Sequence, residues 1–157
     1  MDISEQPGIR FERVFLTELN FSVAKKIPEK LSYELGIDYN GSLTPKENPD
    51  TLFAEIKVNL AEDVSEPPFI FNFKLVGIFK QIKGKENLSL EEFSKKQAPA
   101  LLIPYVREII SNITSRTSLP VLIIPPINVF ALLEKKGSDA KVETSEKQIE
   151  LEHKSDN

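Results

Sequence analysis

From Ile9 to Val23 the chain reads IRFERVFLTELNFSV, with Ile9, Phe11, Phe15, Leu19, Phe21 and Val23 on odd positions and Arg10, Glu12, Glu18, Asn20 and Ser22 on even ones. A period of two is that of a half-buried strand. LSYELGIDY repeats it, setting Leu31, Tyr33, Leu35, Ile37 and Tyr39 against Ser32, Glu34, Asp38 and Asn40, and the turn-rich NGSLTPKENPD is read as the loop that closes it. TLFAEIKVNL predicts a third strand with Leu52, Ala54, Ile56, Val58 and Leu60 inward. In PPFIFNFKLVGIFKQI, Phe69, Phe71, Phe73, Leu75 and Phe79 share one face while Ile70, Val76 and Ile78 make the other apolar too. Such a strand belongs at the centre of a sheet or beneath another element.

The period then changes. Ser89 followed by Glu92 is a capping box opening a short helix with Leu90 and Phe93 inward. APALLIPYVREIISNITSRTS predicts a longer helix with Leu102, Val106, Ile109 and Ile113 on one stripe, Tyr105 and Ile110 widening it, Pro99 in the first turn and Pro104 kinking or restarting it. NVFALLEKKG reads as a last helix capped by Asn128, with Lys135 and Lys136 in its final turn and Gly137 as its stop. Strands first and helices after them predict an α+β domain, an antiparallel meander covered on one face. The other face would carry Val14, Leu16, Phe53, Ile70, Val76 and Ile78, apolar surface that points to a subunit completing its burial by oligomerisation.

After the longer helix comes LPVLIIPPINVFALL, inside an uncharged run from Thr117 to Leu133 in a chain that is 28% charged. A spanning helix needs about 20 apolar residues, and Pro120, Pro125 and Pro126 break any helix begun at Leu119. What remains is an extended connection, Leu119 to Ile127, and the short helix after it. Residues 1–8 are read as a flexible start, 9–136 as one domain and 137–157 as a disordered tail, which holds six acidic and three basic residues.

The net charge of −4 and the pI near 5.2 give no basic footprint for nucleic acid. The start MDISEQPGIRFER lacks a basic and apolar leader, so a cytoplasmic protein without stable membrane insertion is expected. Cysteine is absent, and the single histidine, His153, sits in the tail. Arg107 and Glu108 are neighbours on a helix and do not face each other, which makes them structural or interfacial. With no phosphate loop and no carboxylate cluster at metal-loop spacing, an enzyme is not expected.

From Ala98 to Leu133 the chain resembles the SecB family of protein-export chaperones. The family pattern runs Cys-Pro, Leu-Phe-Pro-Tyr-Ala-Arg-Glu, Ser-Arg-Gly, Pro, then Pro-Val-Asn-Phe and Ala-Leu. Pro99, Leu102, Pro104, Tyr105, Arg107, Glu108, Ser115, Arg116, Pro120, Pro126, Asn128, Ala131 and Leu132 stand in that order. Ala98, Ile103, Thr117 and Phe130 depart from it, replacing Cys, Phe, Gly and Asp. ERVFLTELNFSV is similar to the family's first strand, more loosely, as is Gly77 to Phe79 to the end of its fourth.

The resemblance implies a four-stranded antiparallel sheet with a long helix and a short C-terminal lid helix, assembled as a homotetramer, a dimer of dimers. It implies an ATP-independent holdase, without cofactor or metal, that holds unfolded preproteins in apolar grooves and passes them to the SecA motor of the translocation machinery. The implied client-binding residues are Tyr33, Leu35 and Ile37, Ile123 and Ile127 of the connection, and Phe130 and Leu133 of the lid. A core stripe and a binding surface look alike in one sequence, so plain core is the other reading of all seven. For SecA docking the resemblance keeps Glu18, while Ser22 and Asn72 stand at the family's other acidic positions. Two alternatives stay open: a SecB-like chaperone dedicated to one client such as an antitoxin, and a module binding a small apolar ligand.

Overall fold

The alternating segments form four long strands: β1 (Ile9–Val23), β2 (Glu34–Thr44), β3 (Thr51–Ala61) and β4 (Phe69–Gln81). Helices α1 (Leu90–Lys96), α2 (Ala98–Thr114) and α3 (Val129–Glu134) follow, then a short strand β5 (Lys141–Glu143). The structure is a computed structural model and describes residues 7–61, 66–134 and 141–143. The flexible start and the disordered tail expected from the sequence fall largely outside those residues, as do Lys135, Lys136 and Gly137. Within the tail, Lys141–Glu143 pairs with β2 as a strand.

The sheet order is β1-β4-β3-β2-β5, antiparallel at every pairing. The expected meander holds for β2, β3 and β4, but β1 lies beside β4, a Greek-key order. β4 takes the central place that its two-sided apolarity predicts, with β1 as its second neighbour, and its outward face stays partly open, Ile70 being 39% exposed. On the helix side Phe69, Phe71, Phe73, Leu75 and Phe79 are buried, together with Leu52, Ala54, Ile56, Val58 and Leu60 of β3.

In β1 the register against β4 shifts twice, between Phe11 and Arg13 and between Leu16 and Glu18. Each bulge adds one residue and reverses which face the next side chains take. Val14 and Leu16 therefore stand opposite Gly77 and Leu75 on the helix side, and Phe15 opposite Val76 on the other. Strict alternation placed these three the opposite way round. Past the second bulge the odd positions turn inward again, and Phe21 meets Phe71 edge to face at 4.9 Å.

β2 starts one residue after Tyr33 and runs on to Thr44, into the segment read as a loop. The inward parity continues there through Gly41 and Leu43, which packs against the core. A Cβ on Gly41 would collide with Oγ of Ser94 in α1, and beside it the Tyr39 hydroxyl shares a hydrogen bond of 2.9 Å with that Oγ. Burial raises the Tyr39 pKa above the usual tyrosine value of 10.0, only partly offset by the Ser94 hydrogen bond. Since the folded value is the higher one, this contribution to stability is present below the ordinary tyrosine range and lost as pH rises through it.

Ser89 caps α1 as expected, its Oγ accepting from the Glu92 amide at 3.2 Å, the first of the two bonds of a capping box, and Leu90 and Phe93 are buried. α2 lies on the sheet where Gly77 admits it, since a Cβ there would stand 2.8 Å from Leu102 Cδ2. Its buried line is Leu102, Val106, Ile110 and Thr114, while Ile109 and Ile113, expected on the stripe, are only half-buried. The helix neither stops nor restarts at Pro104. The carbonyl that loses its partner belongs to Ala100, exposed like Pro104, so water can satisfy it.

Gly41→Ala is expected to destabilise the fold by about 1–3 kcal/mol through overpacking and displacement of Ser94. Chemical denaturation checks this against the double variant Gly41→Ala/Ser94→Ala, which should recover most of the steric part.

Candidate functional site

The stretch after α2 is extended because its prolines forbid helix, and it is held down at fixed points. Thr114, wholly buried, donates from Oγ1 to the Ile110 carbonyl at 2.7 Å and accepts from the Leu122 amide at 3.0 Å. Arg107 Nε donates to the Ile124 carbonyl at 2.9 Å. Thr117 Oγ1 donates to the Thr114 carbonyl at 2.8 Å and accepts from the Leu119 amide at 3.1 Å. The connection is thus tied to the helix that precedes it through two side chains of that helix and one just beyond its end.

Between the ties the side chains divide. Leu119, Leu122 and Ile124 are buried, whereas Val121 is 37% and Ile123 50% exposed. Asn128 Oδ1 then accepts from the Ala131 amide at 3.1 Å and caps α3, as expected from the sequence. α3 packs beside β2. It buries Val129 and Leu132, and leaves Ile127, Phe130 and Leu133 half-buried against the core.

Of the residues assigned to client contact, Ile123 is open to solvent, and Ile127, Phe130 and Leu133 sit on the margin between core and solvent. Tyr33, Leu35 and Ile37 are buried. α3 packs against β2 and α2, and Tyr33, Leu35 and Ile37 belong to one core cluster with the buried residues of the connection. Val121 was not singled out from the sequence, because every side chain from Val121 to Ile124 is apolar and none marks the parity. Arg107 and Thr114 were not identified as anchors either. The motif pair Arg107 and Glu108 proves structural in its first member, while Glu108 Oε1 accepts from Asn112 Nδ2 at 3.2 Å.

The opposite face of the sheet has a different chemistry. Phe15, Val76, Ile78 and Phe53 form an apolar end, with the Arg13 guanidinium 5.3 Å over the Phe15 ring. Beyond it Glu18 faces Lys74 at 3.5 Å, and Lys74 also lies 3.8 Å from Glu55. Glu18 lines an open hollow of about 550 Å³ with Asn20, Lys57, Asn59 and Asn72. Asn72 Oδ1 is buried there without a hydrogen-bond partner among the described residues. A third apolar exposure lies on the helix side, where Leu16 and Leu19 of β1 and Leu101 and Tyr105 of α2 stay open. Phe11 meets Tyr105 at 5.8 Å beside it.

A four-stranded α+β fold that leaves apolar side chains outward on a tethered, extended connection has the architecture of a SecB-like chaperone. The family model described as preprotein translocase subunit SecB matches residues 2–140, and the chain belongs to the SecB family, one of chaperones rather than enzymes. It is 31% identical over 136 residues to the protein-export protein SecB of Ectopseudomonas mendocina, covering 82% of this chain and 81% of that one. It is 27% identical over 157 residues to the uncharacterized protein MJ0357 of Methanocaldococcus jannaschii, covering 94% and 96%. Among solved structures it resembles the SecB-like chaperone Rv1957 of Mycobacterium tuberculosis, which was solved in complex with a ChAD peptide from the HigA1 antitoxin Rv1956. That likeness has a TM-score of 0.63 at 20% identity, covers 76% of this chain and 90% of that one, and supports the fold. Among the described residues no helix is long and apolar enough to cross a membrane.

Thr114→Val would strand the buried Leu122 amide without an acceptor, and a loss of about 1–3 kcal/mol is expected. Thr114→Ser should retain most of the stability. Denaturant midpoints, with hydrogen exchange at Leu122, check both.

Proposed function

We propose that this protein is an ATP-independent holdase that keeps polypeptide clients unfolded, and that its first contact surface is the connection between α2 and α3. The observation that carries the reading is the division within that connection: Val121 and Ile123 point out while Leu119, Leu122 and Ile124 anchor the backbone. An apolar side chain on a tethered extended backbone loses little conformational freedom when it meets a client. Such contacts suit many sequences, each weakly, and gain strength by repetition.

The lid supplies the second stage. α3 is a 6-residue helix that buries only Val129 and Leu132, each side chain contributing about 1.5–3 kcal/mol. A helix so lightly held belongs to the low-stability end of a fold. Its displacement would uncover Phe130, Leu133 and Ile127, then Ile37 and Leu35 on β2 and Tyr33 just before it, so buried residues would join the client site when a client takes the place of the lid.

The outer sheet face favours the dedicated-client form of this reading over delivery to SecA. Glu18, the acidic residue assigned to docking, already faces Lys74, and Ser22 and Asn72 are uncharged. A basic partner finds little uncompensated negative charge there. A client such as an antitoxin fits the chain as well as export-destined preproteins do, and pull-down separates them by returning one dominant partner or many.

Purified protein should retard refolding of a chemically unfolded substrate without nucleotide; unchanged refolding at stoichiometric chaperone would overturn the holdase reading. Ile123→Asp is expected to weaken client binding about tenfold by removing apolar contact from the exposed site. Its far-ultraviolet circular dichroism and denaturant midpoint should stay within error of the parent.

The uncovered Leu16, Leu19, Leu101 and Tyr105 fit burial between copies of the chain, as a homotetramer built from dimers. Light scattering should give a mass above the monomer that falls in Leu101→Glu; a parent chain that is already monomeric would rule the assembly out.

A further inference from the structure

The two edges of the sheet are built differently. β1 carries two register shifts against β4, and its outward stretch includes Arg13. Bulges and charge of this kind discourage a further strand from adding. β2 lacks the register shifts, and its only charges are the acidic Glu34 and Asp38. Its register with β3 is unbroken from Glu34 to Thr44, and ELGIDYNGSLT contains no proline and no lysine. An unbroken edge strand presents a row of backbone donors and acceptors to any extended segment that reaches it.

One segment already does. Lys141, Val142 and Glu143 of the same chain stand opposite Gly36, Leu35 and Glu34. From Ile37 to Thr44 no strand lies beside that edge among the described residues. Only residues 135–140 separate the end of α3 from β5, so the segment is delivered to the edge at high effective concentration. The attachment itself is slight. β5 has 3 residues, against the 11 of the strand it pairs with.

We propose that Lys141–Glu143 is a placeholder on the β2 edge, occupying in the resting chain a strand-addition site that an extended client segment takes over by displacing it. The proposal rests on the holdase reading and adds to it a backbone-directed site, where affinity comes from main-chain hydrogen bonds that any sequence can make. The site adjoins Leu35 and the lid, so a client that displaces β5 lies beside α3 and can continue along the open edge toward Thr44. The short link makes the two events cooperative, because movement of α3 carries the attachment point of β5 with it.

The test uses the full chain and Val142→Pro, since proline cannot donate to the ladder and is excluded from regular strand pairing. Hydrogen exchange in the free protein should speed up at Glu34–Gly36 in the variant and stay unchanged in α2. The probe is reduced and carboxymethylated lactalbumin, which remains unfolded. Its affinity is expected to rise about fivefold in Val142→Pro, the factor for an edge open about a fifth of the time in the parent. With probe bound, exchange should slow from Ile37 to Thr44 in both proteins. Unchanged exchange at Glu34–Gly36, or equal affinity of parent and variant, overturns the placeholder and leaves the holdase reading standing. Failure of both proteins to bind the probe overturns the holdase reading and the placeholder with it.

Discussion

The helical layer is too small for the sheet it must cover, and much of the molecule follows from that mismatch. β1 has 15 residues and so extends about 50 Å. α2, with 17 residues, extends about 26 Å. Gly77 lets the helix sit close to the sheet, and Leu102, Val106 and Ile110 bury what that line can reach. The rest of the cover comes from α1, from the connection and from α3. A connection serving as core must be apolar and pinned, which accounts for the buried threonine and the arginine that tie it to α2. It must also be extended, and an extended strip of apolar residues can bury only one of its two sides. Outward Val121 and Ile123 are the consequence.

How far this was legible in the sequence depends on whether a residue's surroundings repeat along the chain. The period-two segments and the Ser89 and Asn128 caps could be read because each is a local pattern. The inversion at Val14, Phe15 and Leu16 could not, since it depends on where β1 slips against β4, a partner some sixty residues away that binary pattern does not specify. Strand order was hidden for a related reason. The two-sided apolarity of β4 announced a central strand, but not that β1 would be the neighbour to make it so. At the candidate site, uniform apolarity from Val121 to Ile124 concealed which side chains turn outward. The ties that decide it run from Thr114 and Arg107, residues the family pattern marks only in part.

Burial also orders the candidate residues in a way one sequence does not. Tyr33, Leu35 and Ile37 share the inward parity of β2 with Tyr39 and Leu43, so as a stripe they are indistinguishable from core. In the resting chain they are core. Ile123 differs from them by exposure, and Phe130, Leu133 and Ile127 lie between. The gradient runs from the open connection through the margin of α3 to the sheet beneath it. A client following it would trade solvent-exposed contacts for buried ones as the lid gives way.

The two faces of the sheet then serve opposite ends. On the outer face charge is compensated in place: Lys74 stands between Glu18 and Glu55, and asparagines occupy the next row across β1, β4 and β3. Exposed pairs of this kind contribute about 0–1 kcal/mol each to stability, so their larger effect is on the field a partner meets, which they flatten. The helix side keeps its apolar groups under light cover and turns the remainder outward. Phe130, where the family pattern has an aspartate, extends that tendency into α3. A carboxylate at this half-buried position would favour an open lid, because closing it removes charge from water; a phenyl ring reverses the preference. In the holdase reading proposed above, Phe130 would weight the lid toward closure while strengthening the apolar surface that a client would meet on opening.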